Sequence, residues 1–396
     1  MVRMLTAFTY EMDDPLQAVR DIQDQLDISS NLLKNSAALL FCHSKCIESG
    51  VMEIVCNSLP CDIIGCTSMY GSMPGVCGEF ILTVTILTSD DVEFAAGISG
   101  PLTDKNAVDS IRTMYQETAS RLSGPPDMIF AIPPTMFDVT VDVISAALDS
   151  AGSGTPVFGT VALDLNVYIA HPQTIYSTSG DTSGGTGGEA AAFNDRIPLL
   201  LIKGPVKPRF FSIRFPDKPI LAQEAVVTKA EGARVISINN EPATSFLKDV
   251  GIILQDNKGF TQAMPLIVEC IGSEPDVVVI QSINEKGELL CGKNISVGAV
   301  LNIGAITRDY ILDTASALME NIKREGNGLF IISCFLRSVV LGGSPAAEVE
   351  LMQKELENFP APWLYISSGG ELCPRYTDDG KTLNQDLHYA LVACQF

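Results

Sequence analysis

The sequence predicts a mixed α/β (α+β) protein of two domains whose mixed sheets are built from a repeated unit. Short apolar runs alternate with amphipathic segments along the chain, and 46% of the 396 residues are hydrophobic while 18% are charged. The order strand, helix, strand, glycine turn, strand also occurs three times. Apolar runs joined by segments of helical period are typical of layered α/β folds, and a recurring order indicates one supersecondary unit used several times.

The first copy of the unit follows an opening strand and helix. Residues 1–10 are predicted to form a strand, and Asp14-Pro15 to start a helix that ends near Leu26, with proline in its first turn. The unit itself is predicted as strand 37–42, helix 46–59, turn 65–68 and strand 80–87. Asp90-Asp91 is predicted to make a hairpin into strand 92–98.

The second and third copies repeat this order. After helix 104–122, the second copy is predicted as strand 128–132, helix 141–151, a short strand at 156–158, a turn at Gly159-Thr160 and strand 197–202. After helix 307–324, the third copy is predicted as strand 329–335, helix 345–358, strand 363–366, turn 367–371 and a last strand from Asn384 to Phe396. Glycine and prolines at 204–208 place the domain boundary between 1–205 and 206–396.

Composition excludes several classes of function. A net charge of −21 without a basic stripe argues against nucleic acid and anionic membrane surfaces as partners. No segment resembles a signal peptide, because Glu11, Asp13 and Asp14 follow a short apolar start, and no apolar run has the length of a membrane span. We therefore expect a cytoplasmic protein whose 11 cysteines are mostly reduced thiols.

Several short segments along the chain form a recognisable series: Ile64-Gly65-Cys66-Thr67-Ser68, Glu231 to Val235 with Asn240 to Ala243, Cys334 with Arg337, Leu341 and Gly342, Gly370 to Pro374, and Asn384. In their order and spacing these segments resemble the FIST family of sensory domains over nearly the whole chain. The resemblance implies an N-terminal and a C-terminal FIST half. One departure is apolar Val161 to Leu163, where the family usually carries charge, so the identity of the ligand stays open.

The resemblance implies a function as well as a fold. FIST-like proteins are signal-input modules that bind small ligands, amino acids among those proposed, and relatives are fused to or encoded beside histidine kinases, cyclases or chemoreceptors. We expect a ligand-binding sensor that acts on a separate signalling partner, with an amino acid or small carboxylate as ligand. The output partner and the oligomeric state stay open.

Glycine turns at strand ends are the predicted ligand site, because strand ends gather at a cleft in α/β folds. Turns 65–68 and 367–371 are predicted to lie together and to line a pocket. The guanidinium of Arg337 suits a carboxylate ligand, with an internal salt bridge as the alternative. The candidate ligand-binding residues are Gly65, Cys66, Thr67, Ser68, Cys334, Arg337, Ser368, Gly370, Glu371 and Asn384.

Two other functions compete with the ligand sensor. A thiol-dependent hydrolase would use Cys66 or Cys334 as nucleophile. A haem sensor of nitric oxide, suggested by relatives that bind haem, would use His171 as the iron ligand. Apart from haem we expect no cofactor and no metal, since no Cys-x-x-Cys pair occurs. The Ser/Gly-rich loop 177–188 is predicted to be mobile and to order when ligand binds.

Overall fold

The computed structural model describes residues 1–136, 138–164, 172–178, 190–213, 221–252, 264–269, 275–377 and 380–396. Within these residues the predicted mixed α/β class is confirmed, because several sheets combine parallel with antiparallel strand pairs. No described helix has the length and apolar character needed to cross a bilayer.

The first repeat covers the beginning of the chain up to Ser89. Its elements are β1 Arg3–Thr9, α1 Pro15–Leu26, α2 Ile28–Asn31, β2 Asn35–Cys42, α3 Lys45–Glu48, α4 Val51–Asn57, β3 Asp62–Thr67, β4 Gly71–Met73, β5 Val76–Gly78 and β6 Leu82–Ser89. The start of α1 is as predicted, since Asp14 accepts hydrogen bonds at 3.0 Å from the backbone N–H groups of Leu16 and Gln17.

The second repeat follows directly. Its elements are β7 Glu93–Ile98, α5 Ala107–Ala119, β8 Met128–Ala131, α6 Val141–Gly152, β9 Val157–Thr160, β10 Thr174–Ser177, β11 Ala191–Phe193 and β12 Pro198–Lys203. The predicted domain boundary between residues 205 and 206 falls after β12, where the second repeat passes into the third.

The third repeat is interrupted by an inserted module. It begins with β13 Arg209–Ile213. The module then follows as β14 Leu221–Glu231, β15 Arg234–Ile238, β16 Glu241–Pro242, α7 Ala243–Asp249, β17 Leu266–Glu269, β18 Asp276–Val278, β19 Ile280–Ile283, β20 Leu289–Cys291 and β21 Val300–Ile303. The repeat resumes as α8 Arg308–Asn321, β22 Leu329–Cys334, α9 Phe335–Val340, α10 Ala346–Glu355, β23 Trp363–Ser368, β24 Glu371–Tyr376, β25 Thr382–Leu387 and β26 Leu391–Gln395.

The three repeats build the same four-stranded sheet. The strand orders are β1-β6-β2-β3, β7-β12-β8-β9 and β13-β26-β22-β23. In each sheet the last two strands of this order are parallel and a helix connects them, whereas the other pairs are antiparallel. The repeated unit expected from the sequence is therefore present three times.

Each of these sheets is extended by a hairpin that another repeat supplies. Hairpin β10-β11 of the second repeat pairs with β3, hairpin β24-β25 of the third repeat pairs with β9, and hairpin β4-β5 of the first repeat pairs with β23. We call these the exchanged hairpins. Because every repeat gives one hairpin and receives one, the three sheets form a closed ring.

The inner faces of the three sheets share one central core. The ring centroid of Phe130, in the second repeat, lies 5.7 Å from that of Phe158 in the same repeat and 5.8 Å from that of Phe330 in the third repeat. Phe41 of the first repeat belongs to the same apolar cluster. Helices cover the outer faces, with α1 and α4 on the first sheet, α5 and α6 on the second, and α8 and α10 on the third. Burial of this apolar surface is the main stabilising contribution to the ring.

The module has its own sheet and core and packs against the third repeat. Its strand order is β18-β17-β21-β14-β15-β20-β19, and β16 pairs with β15. A smaller apolar cluster joins Ile267 and Val279 of the module to Cys334 and Tyr389 of the third repeat. The module therefore covers one end of the third sheet.

Three of the predicted elements were wrong. Helix 46–59 is divided into α3 and α4, because Gly50 between them has a φ of +80° that ends the first helix. Strands β6 and β7, joined at Asp90-Asp91, lie in different sheets and form no hairpin. The last predicted strand is interrupted between β25 and β26, where Tyr389 has a φ of 58°.

We predict that Gly159→Ala lowers the free energy of unfolding by about 2–3 kcal/mol, the upper range for an overpacked core position. A Cβ there would lie only 1.8 Å from the carbonyl oxygen of Ala131, and the equivalent Gly65 meets the oxygen of Leu40 at 2.0 Å. Urea unfolding measures the effect. Gly124→Ala is the control, since its nearest neighbour is the flexible end of Lys203 at 3.5 Å, and equal losses in both variants would contradict the prediction.

Candidate functional site

The ends of the third strands of the three repeats, with the residues directly after them, meet at one place. These segments are 65–68, 159–163 and 367–370; β3, β9 and β23 extend through their first residues, and we call them the repeat turns. Three hydrogen bonds join them in a circle: Ser68 Oγ to Ser367 O at 2.8 Å, Gly369 N to Val161 O at 3.0 Å, and Leu163 N to Thr67 O at 3.0 Å. The exchanged hairpins leave the sheets at this point, so ring closure itself brings the turns together.

The predicted site residues of the first turn are buried in this junction. Cys66 and Thr67 are each 1% exposed, and Ser68 is 7% exposed. Thr67 Oγ1 accepts the backbone N–H of Gln173 at 2.9 Å, which fixes the turn to the second repeat. Burial raises the pKa of the Cys66 thiol, so this cysteine stays protonated at neutral pH.

Two carboxylates of the third repeat lie buried beside the turns. Glu371 begins β24 and Asp386 lies near the end of β25, and we call them the acidic pair. Glu371 is completely buried and Asp386 is 6% exposed, and within the described part of the chain none of their four side-chain oxygens accepts a hydrogen bond of good geometry. The backbone N–H of Ala390 and the hydroxyl of Ser368 lie near Glu371 and partly oppose the rise of its pKa. Buried carboxylates are nearly always hydrogen-bonded, so this pair marks the place where a ligand could satisfy them.

Electrostatics in the acidic pair disfavour two negative charges. Burial, followed by the neighbouring Asp386, raises the pKa of Glu371 well above its usual value. Burial also raises the pKa of Asp386 from 3.8 to about 7, although the charge of Lys293 opposes that effect. Raised pKa values of neighbouring buried groups are typical of functional sites.

Ser368, Gly370 and Cys334 surround Glu371. The Ser368 hydroxyl donates to the carbonyl of Gly370 and accepts the Gly370 N–H at 3.1 Å, which holds the turn before β24. Burial and then the charge of Glu371 raise the pKa of the Cys334 thiol. Of the predicted site residues, these three lie with Glu371 at the acidic pair.

The inserted module closes over the acidic pair with one lysine. Lys293 follows β20, is 6% exposed, and donates from Nζ to the carbonyl oxygen of Asp386 at 2.5 Å and to Oδ2 of Asp276 at 2.7 Å. The same ammonium lies 4.0 Å from Oδ2 of Asp386. Lys293 is therefore a module cation that is bonded to the backbone of the third repeat beside the carboxylate of Asp386.

His388 lies at the same contact between module and ring. A Cβ on Gly292 would be 2.4 Å from its ring, so only glycine permits this approach. Burial, and secondly the charge of Lys293, lower the pKa of His388 to about 3. Its Nδ1 is buried and has no hydrogen-bond partner among the residues described, so His388 is neutral and adds a polar atom to the site.

Sequence reasoning missed Asp386, His388 and Lys293 as site residues. One signal was available, because Asn384 and Asp386 are polar residues two positions apart on a buried face of β25. Lys293 gave no local signal, since its partner Asp386 is 93 positions away.

Arg337 forms the internal salt bridge that the sequence left as an alternative. It is 1% exposed, and its Nε donates to Oε1 of Glu348 at 2.8 Å while a second nitrogen donates to the same oxygen. The guanidinium also donates to the carbonyl of Ile311 and to Thr314 Oγ1, both at 3.0 Å. These bonds leave Arg337 little capacity for a ligand carboxylate.

Asn384 lies apart from the other predicted site residues. Its Nδ2 donates to the carbonyl of Thr155 at 2.9 Å and to Asp149, and its Oδ1 accepts the N–H of Val157 at 2.7 Å. These contacts fasten an exchanged hairpin to the second repeat. The predicted haem ligand His171 and most of the predicted mobile loop 177–188 lie outside the described residues.

In the part of the chain that the structure describes, no group of three or more His, Cys, Asp and Glu side chains is placed to hold a metal ion. Calcium and magnesium need several oxygen ligands around one position, and the acidic pair offers two carboxylates opposite a lysine.

Comparison with known proteins gives two family matches. The model of the FIST N domain matches residues 36–241, and that of the FIST C domain matches residues 243–374. No curated protein matches the sequence. A crystal structure of cyanuric acid hydrolase from A. caulinodans matches with 11% identity over 52% of this chain and 72% of that one, at a TM-score of 0.24. That likeness is too weak to support an argument about fold or activity.

We predict that Arg337→Ala lowers the free energy of unfolding by about 3–5 kcal/mol, because Glu348 would remain buried without its cation. Urea unfolding measures the loss. Arg112→Ala is the control, since its ion pair with Asp109 is exposed and should contribute at most about 1 kcal/mol. Similar losses in both variants would show that the buried pair is not the stabilising contact described above.

Asp386 predicts a pH dependence of stability. Between pH values of about 4 and 7 the folded protein keeps a proton on Asp386 that the unfolded chain loses, so this group's contribution to stability falls as pH rises. Asp386→Asn removes this loss of stability. The free energy of unfolding of the variant, relative to that of the unmodified protein, should therefore increase by up to about 4 kcal/mol as the pH rises from about 4 to about 7.

Urea unfolding of both proteins at several pH values tests this prediction. The lowered pKa of His388 acts in both proteins and cancels from the difference. Asp104→Asn serves as control because Asp104 is exposed in the turn before α5. A stability difference for Asp386→Asn that does not change with pH would contradict the prediction.

Proposed function

Because this chain belongs to the FIST family, we propose that it is a signal-input protein that binds a small ligand at the acidic pair and passes its state to a separate partner. FIST domains are sensory domains of signal transduction and bind small ligands. The family models match both halves of the chain, which accords with that general role. The ligand, its site and the partner are the parts that we propose here.

The observation that carries the site is the unsatisfied acidic pair. Leaving a buried polar group without a partner costs about 1–3 kcal/mol, and more when it is charged. Glu371 and Asp386 together place four such oxygens beside the repeat turns. A ligand that donates N–H hydrogen bonds to these oxygens would remove this cost. The site would therefore favour ligands that carry hydrogen-bond donors.

The charge of the site selects the class of ligand. A ligand ammonium would stabilise the ionised forms of both carboxyl groups and so release the protons that their raised pKa values retain, whereas a carboxylate without an amino group would oppose that ionisation. The sequence favoured amino acids or small carboxylates, with Arg337 receiving the carboxylate. Since Arg337 is already bonded to Glu348, we favour ligands that carry an ammonium group, and amino acids satisfy this condition.

The module supplies the part that changes with ligand. The Lys293 ammonium lies 4.0 Å from Oδ2 of Asp386, so a ligand ammonium bound to that carboxylate would repel it. A ligand that displaces Lys293 would weaken the contact of the module with the ring. A sensor requires that its ligand bind one conformation of the protein more tightly than another, here the conformation in which the contact between module and ring is weakened. A histidine kinase or a cyclase would respond to that change of conformation.

The hydrolase alternative is less well supported. Burial raises the pKa of the thiols of Cys66 and Cys334, and a nucleophilic cysteine needs a lowered one. FIST domains are also sensory rather than catalytic. The ligand should therefore be recovered unchanged after long incubation with the protein.

A thermal-shift screen tests the proposal with the twenty amino acids, putrescine, acetate and succinate as probes. We expect at least one ammonium-bearing probe to raise the melting temperature, and Glu371→Gln to abolish that rise because an amide cannot ionise to pair with the ammonium group. Glu357→Gln, on an exposed side chain, should keep it. Stabilisation by carboxylates alone, or a response unaffected by Glu371→Gln, would reject the site.

A further inference from the structure

Three sulfur atoms come together in the first repeat, away from the acidic pair. Cys42 ends β2, Cys46 lies in α3, and Met12 lies in the loop before α1. The thiol of Cys46 donates to the thioether of Met12 with 3.1 Å between the sulfurs. The neighbouring thiol of Cys46 is the largest cause that raises the pKa of Cys42, which places these two thiols side by side. The three sulfurs therefore form a continuous group.

The backbone holds this group in a fixed geometry. The N–H of Cys46 donates to the carbonyl of His43 at 3.0 Å, which closes the turn between the two cysteines. The carbonyl of Cys42 accepts the N–H of Ser68 at 2.9 Å, so one of the repeat turns fixes the other end. Ligands held in place before binding need little reorganisation to bind.

The three sulfurs are buried close to a charged part of the protein surface. Cys46 and Cys42 are 0% and 1% exposed, while Met12 is 6% exposed and lies nearest the surface. Over it, Lys45 forms an ion pair with Asp13 at 2.9 Å, and both side chains are accessible. Lys45 is adjacent to Cys46 in the chain and can offset negative charge that develops on the thiols.

We propose that Cys42, Cys46 and Met12 form a binding site for one soft monovalent metal ion, represented by Cu(I). Thiolate and thioether ligands select Cu(I) among the biological metals. Zinc in structural sites requires four ligands, and this group supplies three. On binding, the metal forms bonds to both thiolates and to Met12 Sδ, and the two thiol protons pass to solvent.

The simplest alternative is that the three residues only pack the core. Free cysteine and methionine do serve as small and adaptable hydrophobes, and Met52 with Cys56 shows such a contact at 3.7 Å in the same cluster. That second pair has one thiol fewer, so it provides a matched control within one core.

The test is an anaerobic titration of the reduced protein with Cu(I) against bicinchoninic acid, a chromophoric chelator. We expect one tightly bound ion per chain and three sulfur neighbours by X-ray absorption. Met12→Leu preserves volume and should weaken binding at least about tenfold, or 1.4 kcal/mol, whereas Met52→Leu should leave it unchanged. Cys46→Ser should abolish the complex and Cys61→Ser should not.

Thermal melting of each variant without metal identifies any loss of fold, and Met12→Leu is the variant expected to keep it. Equal Cu(I) affinity in Met12→Leu and the unmodified protein, or equal loss in Met52→Leu, would overturn the proposal. A complex with nitrogen or oxygen neighbours only would do so as well. Because these sulfurs belong to the first repeat and Glu371 to the third, the amino-acid response is an independent measurement, and either proposal can fail without the other.

Discussion

Exchange of hairpins between repeats is the constraint on which this structure depends. Each repeat forms four strands of its sheet, and another repeat supplies the hairpin that pairs with its third strand. Without that hairpin the buried backbone groups of the third strand would lack partners, which is costly. The three repeats are therefore stable together rather than one by one, and the repeat turns meet because all three hairpins leave their strands at one junction.

The candidate site is a consequence of this closure. Glu371 starts the hairpin that the third repeat gives to the second, so both repeats fix the position of its carboxylate. The module then brings Lys293 and Gly292 onto Asp386 and His388. Buried charge is weak evidence for stability, and burial without hydrogen-bond partners of good geometry makes the acidic pair a cost to the stability of the fold. Arg337 and Glu348, in contrast, satisfy each other and belong to the fold.

Local features were predictable from the sequence, and distant pairings were not. The helix after Asp14-Pro15 and the apolar strands followed from capping and periodicity, and the three equivalent turns followed from the repeat. The division of a predicted helix at Gly50 was missed because one glycine within a helical pattern is often tolerated. The exchange of hairpins and the approach of Lys293 to Asp386 join segments far apart in the chain, for which a single sequence carries no signal.

The route of the chain through the ring also sets an order of assembly. Hairpin β4-β5 is synthesised early, yet it pairs Ser72 with Tyr365, near the end of the chain. A nascent chain must hold this edge unpaired until the last repeat leaves the ribosome, and topologies rich in such distant pairs fold slowly. During that interval the waiting edge can accept a strand from a neighbouring chain. Two chains that exchanged this hairpin would keep every strand pairing of the ring and form an intertwined dimer.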